Sequence, residues 1–360
     1  MMVQFLIPHV IHLSENGYCV ELACSEVGGR LEEVRQKLDG YVQKVYQVRL
    51  HRSPVKPGNL LGYRDMKAII ANGSYDMIWT NEPVMGVATR LAARKARKAG
   101  TKVLYMAHGF HFFKGAPKLN WLVYYPIEKL LSRITDVICT VNHEDFARAK
   151  TFQAGRVEYI HGIGINTQRL TVGQNQMNIR KELGLPENAF IVLSVGELNR
   201  NKNQKTIIQA LASLKDPDIH YLLCGKGDQL QLLQEQAQRE GIAEHVHFLG
   251  YRKDVVDICS QADVYVMPSY REGLPVSSLE AMYCGLPLVT SNIRGLTDVN
   301  TTGVLASPDD YKKFAEGIRY LRTNVQARKE IGCRNKELVV PYCVENTKVE
   351  VLQLIGSIGQ

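Results

Sequence analysis

Two glutamates, Glu272 and Glu280, stand on either side of a proline in Arg271-Glu272-Gly273-Leu274-Pro275-Val276-Ser277-Ser278-Leu279-Glu280-Ala281-Met282. The apolar run Asp263-Val264-Tyr265-Val266-Met267-Pro268-Ser269 before it reads as a strand. Pro275 suits the first position of a helix, because its missing N–H would be unpaired there anyway. Backbone N–H groups near Gly273 and Leu274 then point out of the helix mouth, where the helix dipole favours an anion such as a diphosphate. Glycine lets the ligand come close. Glu280 falls about 7 Å along the axis beyond Pro275. One carboxylate can therefore face the sugar side of a nucleotide-sugar and the other its ribose hydroxyls. On spacing alone the pair reads equally well as a solvated loop carboxylate and a helix-surface one.

The elements that must position these residues alternate strand and helix along the chain, which implies parallel sheets covered by helices. In the first half, strands are expected at 18–25, 42–50, 76–80, 101–107, 136–141 and 157–161, with helices at 5–14, 62–72, 84–98, 119–132 and 143–153. A polar stretch from Asn166 to about Asn178 reads as a linker. Strands are then expected at 189–195, 220–224, 245–249, 263–267 and 286–291, and helices at 203–214, 228–240, 254–261, 309–322, 325–338 and 345–357. At 360 residues the chain exceeds one typical core, so two domains are expected.

Composition narrows the class. With 45% hydrophobic and 22% charged residues the chain reads as globular, and no apolar run reaches the roughly 18 to 20 residues that span a bilayer. Met1 to Val10 lacks the basic leader and small-residue cleavage site of a signal peptide, so a cytoplasmic location is expected. Eight cysteines form no CxxC pair and several fall in strand-like runs. That pattern fits reduced, buried thiols rather than disulfides or zinc ligands. The net charge of +8 calls for an acidic partner or serves solubility. No nucleic-acid-binding motif accompanies it, and anionic nucleotide-sugars or lipid headgroups fit better.

Glu272-Gly273-Leu274-Pro275, Glu280-Ala281-Met282 and Gly285-Leu286-Pro287-Leu288-Val289 together resemble the signature of family 4 of the retaining nucleotide-sugar glycosyltransferases, in its bacterial capsule and exopolysaccharide branch. The resemblance spans nearly the whole chain and is strongest at 76–165 and 190–296. It implies an α/β, GT-B architecture: two Rossmann-like domains whose parallel sheets face a central cleft. The expected division is an acceptor-side domain at 1–168, a nucleotide-sugar domain at 169–342, and a terminal helix at 343–360 crossing back to the first domain. Family members open with a strand and a short loop before the helix equivalent to Phe5-Leu6-Ile7-Pro8-His9. This chain starts within that helix, so the first sheet is expected to lack its first strand.

The resemblance also implies roles. Glu272 contacts the donor sugar and Glu280 the ribose. His108 ends the strand Lys102–Ala107, and open parallel sheets bind ligands at the carboxyl ends of their strands; a lone histidine there is otherwise structural. Its Gly109-Phe110-His111 context gives it an active-site role facing the donor sugar. In Gly196-Glu197-Leu198-Asn199-Arg200-Asn201-Lys202, Lys202 matches the lysine that grips the donor diphosphate. Glu197 stands where an arginine is usual, so Arg200 is either its substitute or a solvated side chain. Gly225, in a Gly-x-Gly turn, and Tyr251-Arg252 border the nucleotide, whereas Asp254 is expected to cap a short helix. Gly162-Ile163-Gly164 reads as a hinge. The only metal-like pair, Asp216-Pro217-Asp218, sits at a strand's amino end, so neither metal nor cofactor is expected.

The implied reaction moves a hexose or N-acetylhexosamine from a nucleoside diphosphate, UDP in the first instance, to a lipid-linked saccharide. A nucleotide-sugar epimerase and an inactive nucleotide-sugar-binding subunit stand as alternatives. Arg90, Arg94, Lys95, Arg97 and Lys98 without an intervening acid, and Lys114, Lys118, Trp121, Tyr124 and Tyr125, suit either a peripheral contact with an anionic membrane or a solvated basic face beside a core aromatic cluster.

Overall fold

A computed structural model describes residues 2–26, 31–51, 53–170 and 178–359. The chain divides into two compact units, Met1–Gly164 with Val344–Gln360, and Ile165–Cys343. Residues 171–177, the larger part of the expected linker, lie outside the described residues.

The first unit carries strands β1 (Glu21–Cys24), β2 (Lys44–Gln47), β3 (Met77–Asn81), β4 (Lys102–Ala107), β5 (Val137–Thr140) and β6 (Arg156–Tyr159). All its pairings are parallel, yet they form two sheets rather than one: β1-β2 and β3-β4-β5-β6. Among the described residues no strand joins β1 to β3. Between them lies a cavity of about 230 Å³, lined by both strands together with Leu6, Met66, Ile70 and Met85. Three polar atoms on that lining, Trp79 Nε1, Thr80 Oγ1 and Thr89 Oγ1, are buried without a hydrogen-bond partner. The gap between the two sheets is thus an open slot.

The terminal helix Val344–Ile358 belongs to this first unit and lies against the helix Met2–Glu15. Glu350 accepts hydrogen bonds from the His161 backbone N–H at 2.9 Å and lies 3.1 Å from its Nδ1, and Arg156 donates to Ser357 Oγ at 2.8 Å.

The second unit builds one six-stranded sheet from β7 (Phe190–Val195), β8 (Ile219–Cys224), β9 (Val246–Gly250), β10 (Val264–Met267), β11 (Leu288–Ser291) and β12 (Val304–Ala306). The order is β12-β11-β10-β7-β8-β9 and every pair is parallel. Its strands are largely apolar, β7 and β10 most of all, because helices cover both faces. Ile191, Leu193, Tyr265 and Met267 fill one layer, and Phe190, Val192, Val264 and Val266 the other.

Several elements differ from expectation. The helix expected at 84–98 is two, Pro83–Ala92 and Arg94–Lys98, because Ala93 flattens to ψ −7°. The helices Leu31–Leu38 and Leu296–Val299 and strand β12 carry no expectation. The last two have only four and three residues, too few to show a period. The basic helix is not free of acids in space. Arg90 is fully buried against Glu128 at 2.9 Å, and Arg97 pairs with Asp136 at 2.9 Å. Trp121, Tyr124 and Tyr125 pack on a core cluster around Phe110 and Phe112.

Candidate active site

In the second unit the chain runs from β7 to β8 on one side and places β10 on the other. Strand order therefore reverses between β7 and β10, which opens a crevice beyond their carboxyl ends where doubly wound sheets bind ligands. The loop after β7 carries Lys202 and the loop after β10 carries Glu272. Lys202 Nζ and Glu272 Oε1 meet at 2.8 Å across that crevice, with side chains 21% and 12% exposed.

A network of amides fixes the two loops to each other. Asn201 donates to the Arg271 carbonyl at 2.9 Å and its own carbonyl accepts from Tyr270 N at 2.8 Å. Asn203 donates to the carbonyls of Pro268 (3.1 Å) and Pro308 (2.8 Å). Asn199 Oδ1 accepts from Lys202 N at 2.9 Å and so sets the start of the lysine. Asn199, Asn201, Asn203 and Tyr270 received no role from the sequence. The signal was an asparagine at every second position, since short amides bridge backbone groups in turns.

Glycines bring further backbone to the same rim. Gly196 follows β7 at φ 152°, and a Cβ there would lie 3.3 Å from Lys202 Cε. Gly225 follows β8, and a Cβ on it would stand 1.8 Å from the Gly196 carbonyl oxygen. We expect Gly225→Ala to destabilise the second unit by about 1–3 kcal/mol, as overpacking does. Chemical denaturation would show this as a lower midpoint at unchanged slope; an unshifted midpoint would mean that the rim yields freely.

The helix after β10 spans Val276–Tyr283, and Pro275 is its N-cap rather than its first residue. Its ψ of 89° is extended, so the ring stays outside the first turn while its carbonyl accepts from Ser278 and Leu279 at 3.0 and 3.2 Å. Gly273 and Leu274 precede that mouth as expected. Glu280 lies half-buried on the helix.

Other candidates are placed differently. Arg200 is exposed and lines a small hollow with Tyr270 and Gln229, outside the Lys202–Glu272 pair. Tyr251 is exposed. Arg252 spends its guanidinium on Glu182 at 2.6 and 3.0 Å and on Asp254 at 2.8 and 2.6 Å. Its charge is thereby neutralised within the protein. Asp254 precedes the helix Val255–Cys259 but does not cap it; the Arg252 hydrogen bonds claim its carboxylate and hold its pKa below the ordinary value.

In the first unit His108 follows β4, and its Nε2 lies 2.9 Å from Asn81 Oδ1 at the end of neighbouring β3. Burial pushes the imidazole down to about 4, so it is neutral at physiological pH. With Asn81 Oδ1 accepting, Nε2 carries the proton. His111 instead stacks on Tyr124, ring centroids 4.7 Å apart.

The family description "Glycosyl transferases group 1" matches residues 175–338, and "Glycosyl transferase 4-like" matches residues 4–142. EpsD of Bacillus subtilis (strain 168), a glycosyltransferase by name, is 39% identical over 88% of this chain and 86% of its own length. The chain belongs to glycosyltransferase family 4. An Escherichia coli relative of this family-4 chain, UDP-Gal:alpha-D-GlcNAc-diphosphoundecaprenol alpha-1,3-galactosyltransferase, is 27% identical over 90% of the chain and 85% of its own length. Anabaena Alr3699/HepE, solved in complex with UDP, superposes with a TM-score of 0.79 at 20% identity, covering 99% of this chain and 96% of that one. That likeness shows the fold, GT-B with two Rossmann-like domains. The family-4 chain is accordingly a glycosyltransferase.

Proposed function

We propose that this glycosyltransferase moves a hexose or N-acetylhexosamine from UDP to a lipid-linked saccharide, with retention of anomeric configuration, in the synthesis of a capsule or exopolysaccharide. The Lys202–Glu272 pair at the switch point of the second sheet is the observation that carries the reading. A lysine held there by a carboxylate is placed for the charge that develops on a departing diphosphate, and the mouth of the helix Val276–Tyr283 adds backbone dipoles to it. Glu272 then contacts the donor sugar and Glu280 the ribose, while Gly196, Gly225, Gly273, Leu274 and Pro275 give the nucleotide close backbone. Tyr251 and the aliphatic stem of Arg252 border the base, and Arg200 serves as an outer cation. His108, neutral and with its Nε2 proton given to Asn81, presents Nδ1 as an acceptor to a hydroxyl of the transferred sugar.

The leaving diphosphate takes the acceptor's proton on the same face, so the reaction needs neither a side-chain base nor a metal. The work is done in the cytoplasm, on an acceptor held at the membrane. The name of the Escherichia coli relative supports a lipid-linked diphosphate acceptor and a UDP-linked donor.

The test is UDP release from a panel of UDP-sugars in EDTA, with and without an undecaprenyl-diphosphate-linked sugar. Acceptor-dependent release, with an α-linked product by NMR, is the expected result. Release of a free or epimerised sugar without acceptor would replace transferase by epimerase. Donor binding without any release would make the chain a binding subunit.

A further inference from the structure

The helix Lys118–Ser132 has an inner and an outer face of opposite character. Inward, Trp121, Tyr125 and Leu131 are covered, and Glu128 meets Arg90. Outward, Leu122, Val123, Pro126, Ile127 and Leu130 lie three, four, seven, eight and eleven positions beyond Leu119, each three or four from another of the set, and all six are exposed. Leu119 is 67% exposed, Leu122 74% and Leu130 62%. Spacings of three and four align side chains along one stripe of a helix, so these six form a single contiguous apolar band. A band of that kind on a water-facing helix marks an interaction surface.

Charge says what covers it. Lys114, Lys118, Lys129 and Arg133 stand exposed around the band, and the only acid between residues 114 and 133 is Glu128, which is buried with Arg90. An apolar band edged by cations suits the boundary between anionic headgroups and acyl chains, with lysine stems lying along the apolar surface and their ammonium groups reaching the phosphates. Ile127 also lines an apolar hollow of about 240 Å³ with Tyr63, Val84, Val87 and Leu91, deep enough for part of an aliphatic chain beside the band.

We infer that the outer face of the helix Lys118–Ser132 seats in an anionic lipid leaflet and holds the first unit on the membrane. Only part of the set the sequence put forward takes part: Arg90 and Arg97 are engaged in ion pairs and Trp121 and Tyr125 face inward, while Lys114 and Lys118 remain and Lys129 and Arg133 join them. The inference deepens the lipid-linked-acceptor reading, but its test involves no sugar, so either can fail alone.

The purified chain is sedimented with vesicles of phosphatidylglycerol and phosphatidylcholine in equal parts, and with phosphatidylcholine alone. Binding to the first, weakened when salt rises from about 0.1 M to about 0.5 M, is expected. The triple variant Leu119→Ser, Leu122→Ser, Leu130→Ser should lose roughly 10-fold or more in vesicle affinity while keeping its melting temperature, because the replaced side chains already face water. A control, Val325→Ser, removes an exposed apolar side chain of the second unit and should bind like the parent. Undiminished binding by the triple variant, or no binding by the parent, overturns the inference. So does a stable dimer that the triple variant dissolves, since a second copy would then own the band.

Discussion

Replacing Lys202 by alanine should lower the turnover of sugar transfer by roughly 100- to 1,000-fold, the range seen when one preorganised donor to a developing oxyanion is removed. The expectation follows from where the ammonium is held. Glu272 fixes it from one side at 2.8 Å, Asn199 fixes the backbone from which it springs, and both side chains are mostly covered. The positive charge is thus in place before the leaving group appears, with little reorganisation left for the transition state. An interaction made chiefly in the transition state should reduce kcat and kcat/KM together and leave the acceptor KM nearly unchanged. Steady-state kinetics with a saturating lipid-linked acceptor measure this directly. Arg200→Ala provides the contrast: exposed and outside the pair, it should cost about 10-fold or less. Equal losses in the two variants would move the diphosphate grip towards Arg200.

Glu128→Ala should be the most damaging single change to stability, at about 3–5 kcal/mol, the cost of leaving one member of a buried ion pair alone. Arg90 and Glu128 side chains are 0% and 7% exposed and 2.9 Å apart. Arg90 also donates to the Gly86 carbonyl at 2.9 Å and lies over the Tyr105 ring, 3.9 Å from its centroid. Tyr105 in turn donates to Glu128 at 3.3 Å. Alanine at 128 leaves the guanidinium with only the Gly86 carbonyl and the Tyr105 ring to meet its charge. Calorimetry should show the first unit's transition lowered by roughly 6–20 °C. The double change Arg90→Leu, Glu128→Leu removes both charges and should recover most of the loss. If the single variant melts like the parent, water reaches the pair and its burial contributes little.

The strands of the second unit were legible because burial on both faces leaves runs such as Phe190-Ile191-Val192-Leu193 without polar interruption. Glu272 and Lys202 were legible as individual residues, each after an apolar run and near glycine. That they touch was not, since their contact depends on β10 lying beside β7, a pairing across 70 residues that no local pattern encodes. Arg252 misled for a related reason. Asp254 is its neighbour in sequence, but Glu182 reaches it from a distant segment and completes its neutralisation. The basic run from Arg90 to Lys98 likewise looked unopposed until Glu128 and Asp136 came in from other elements. Helix periodicity isolates the band from Leu119 to Leu130, but the same helix carries a tryptophan and two tyrosines on its covered side, which mask the pattern in sequence.

A sheet split down its middle changes how a domain frays. Doubly wound sheets usually loosen at their outermost strands, where one row of amides meets solvent, and keep their innermost strands longest. Among the described residues the first unit has two further margins inside it, at β1 and β3, looking onto one slot. Each offers unpaired N–H and C=O groups to any extended chain that arrives. Among the described residues that slot gives the first unit a second place to loosen besides its rim, which the unbroken sheet of the second unit lacks.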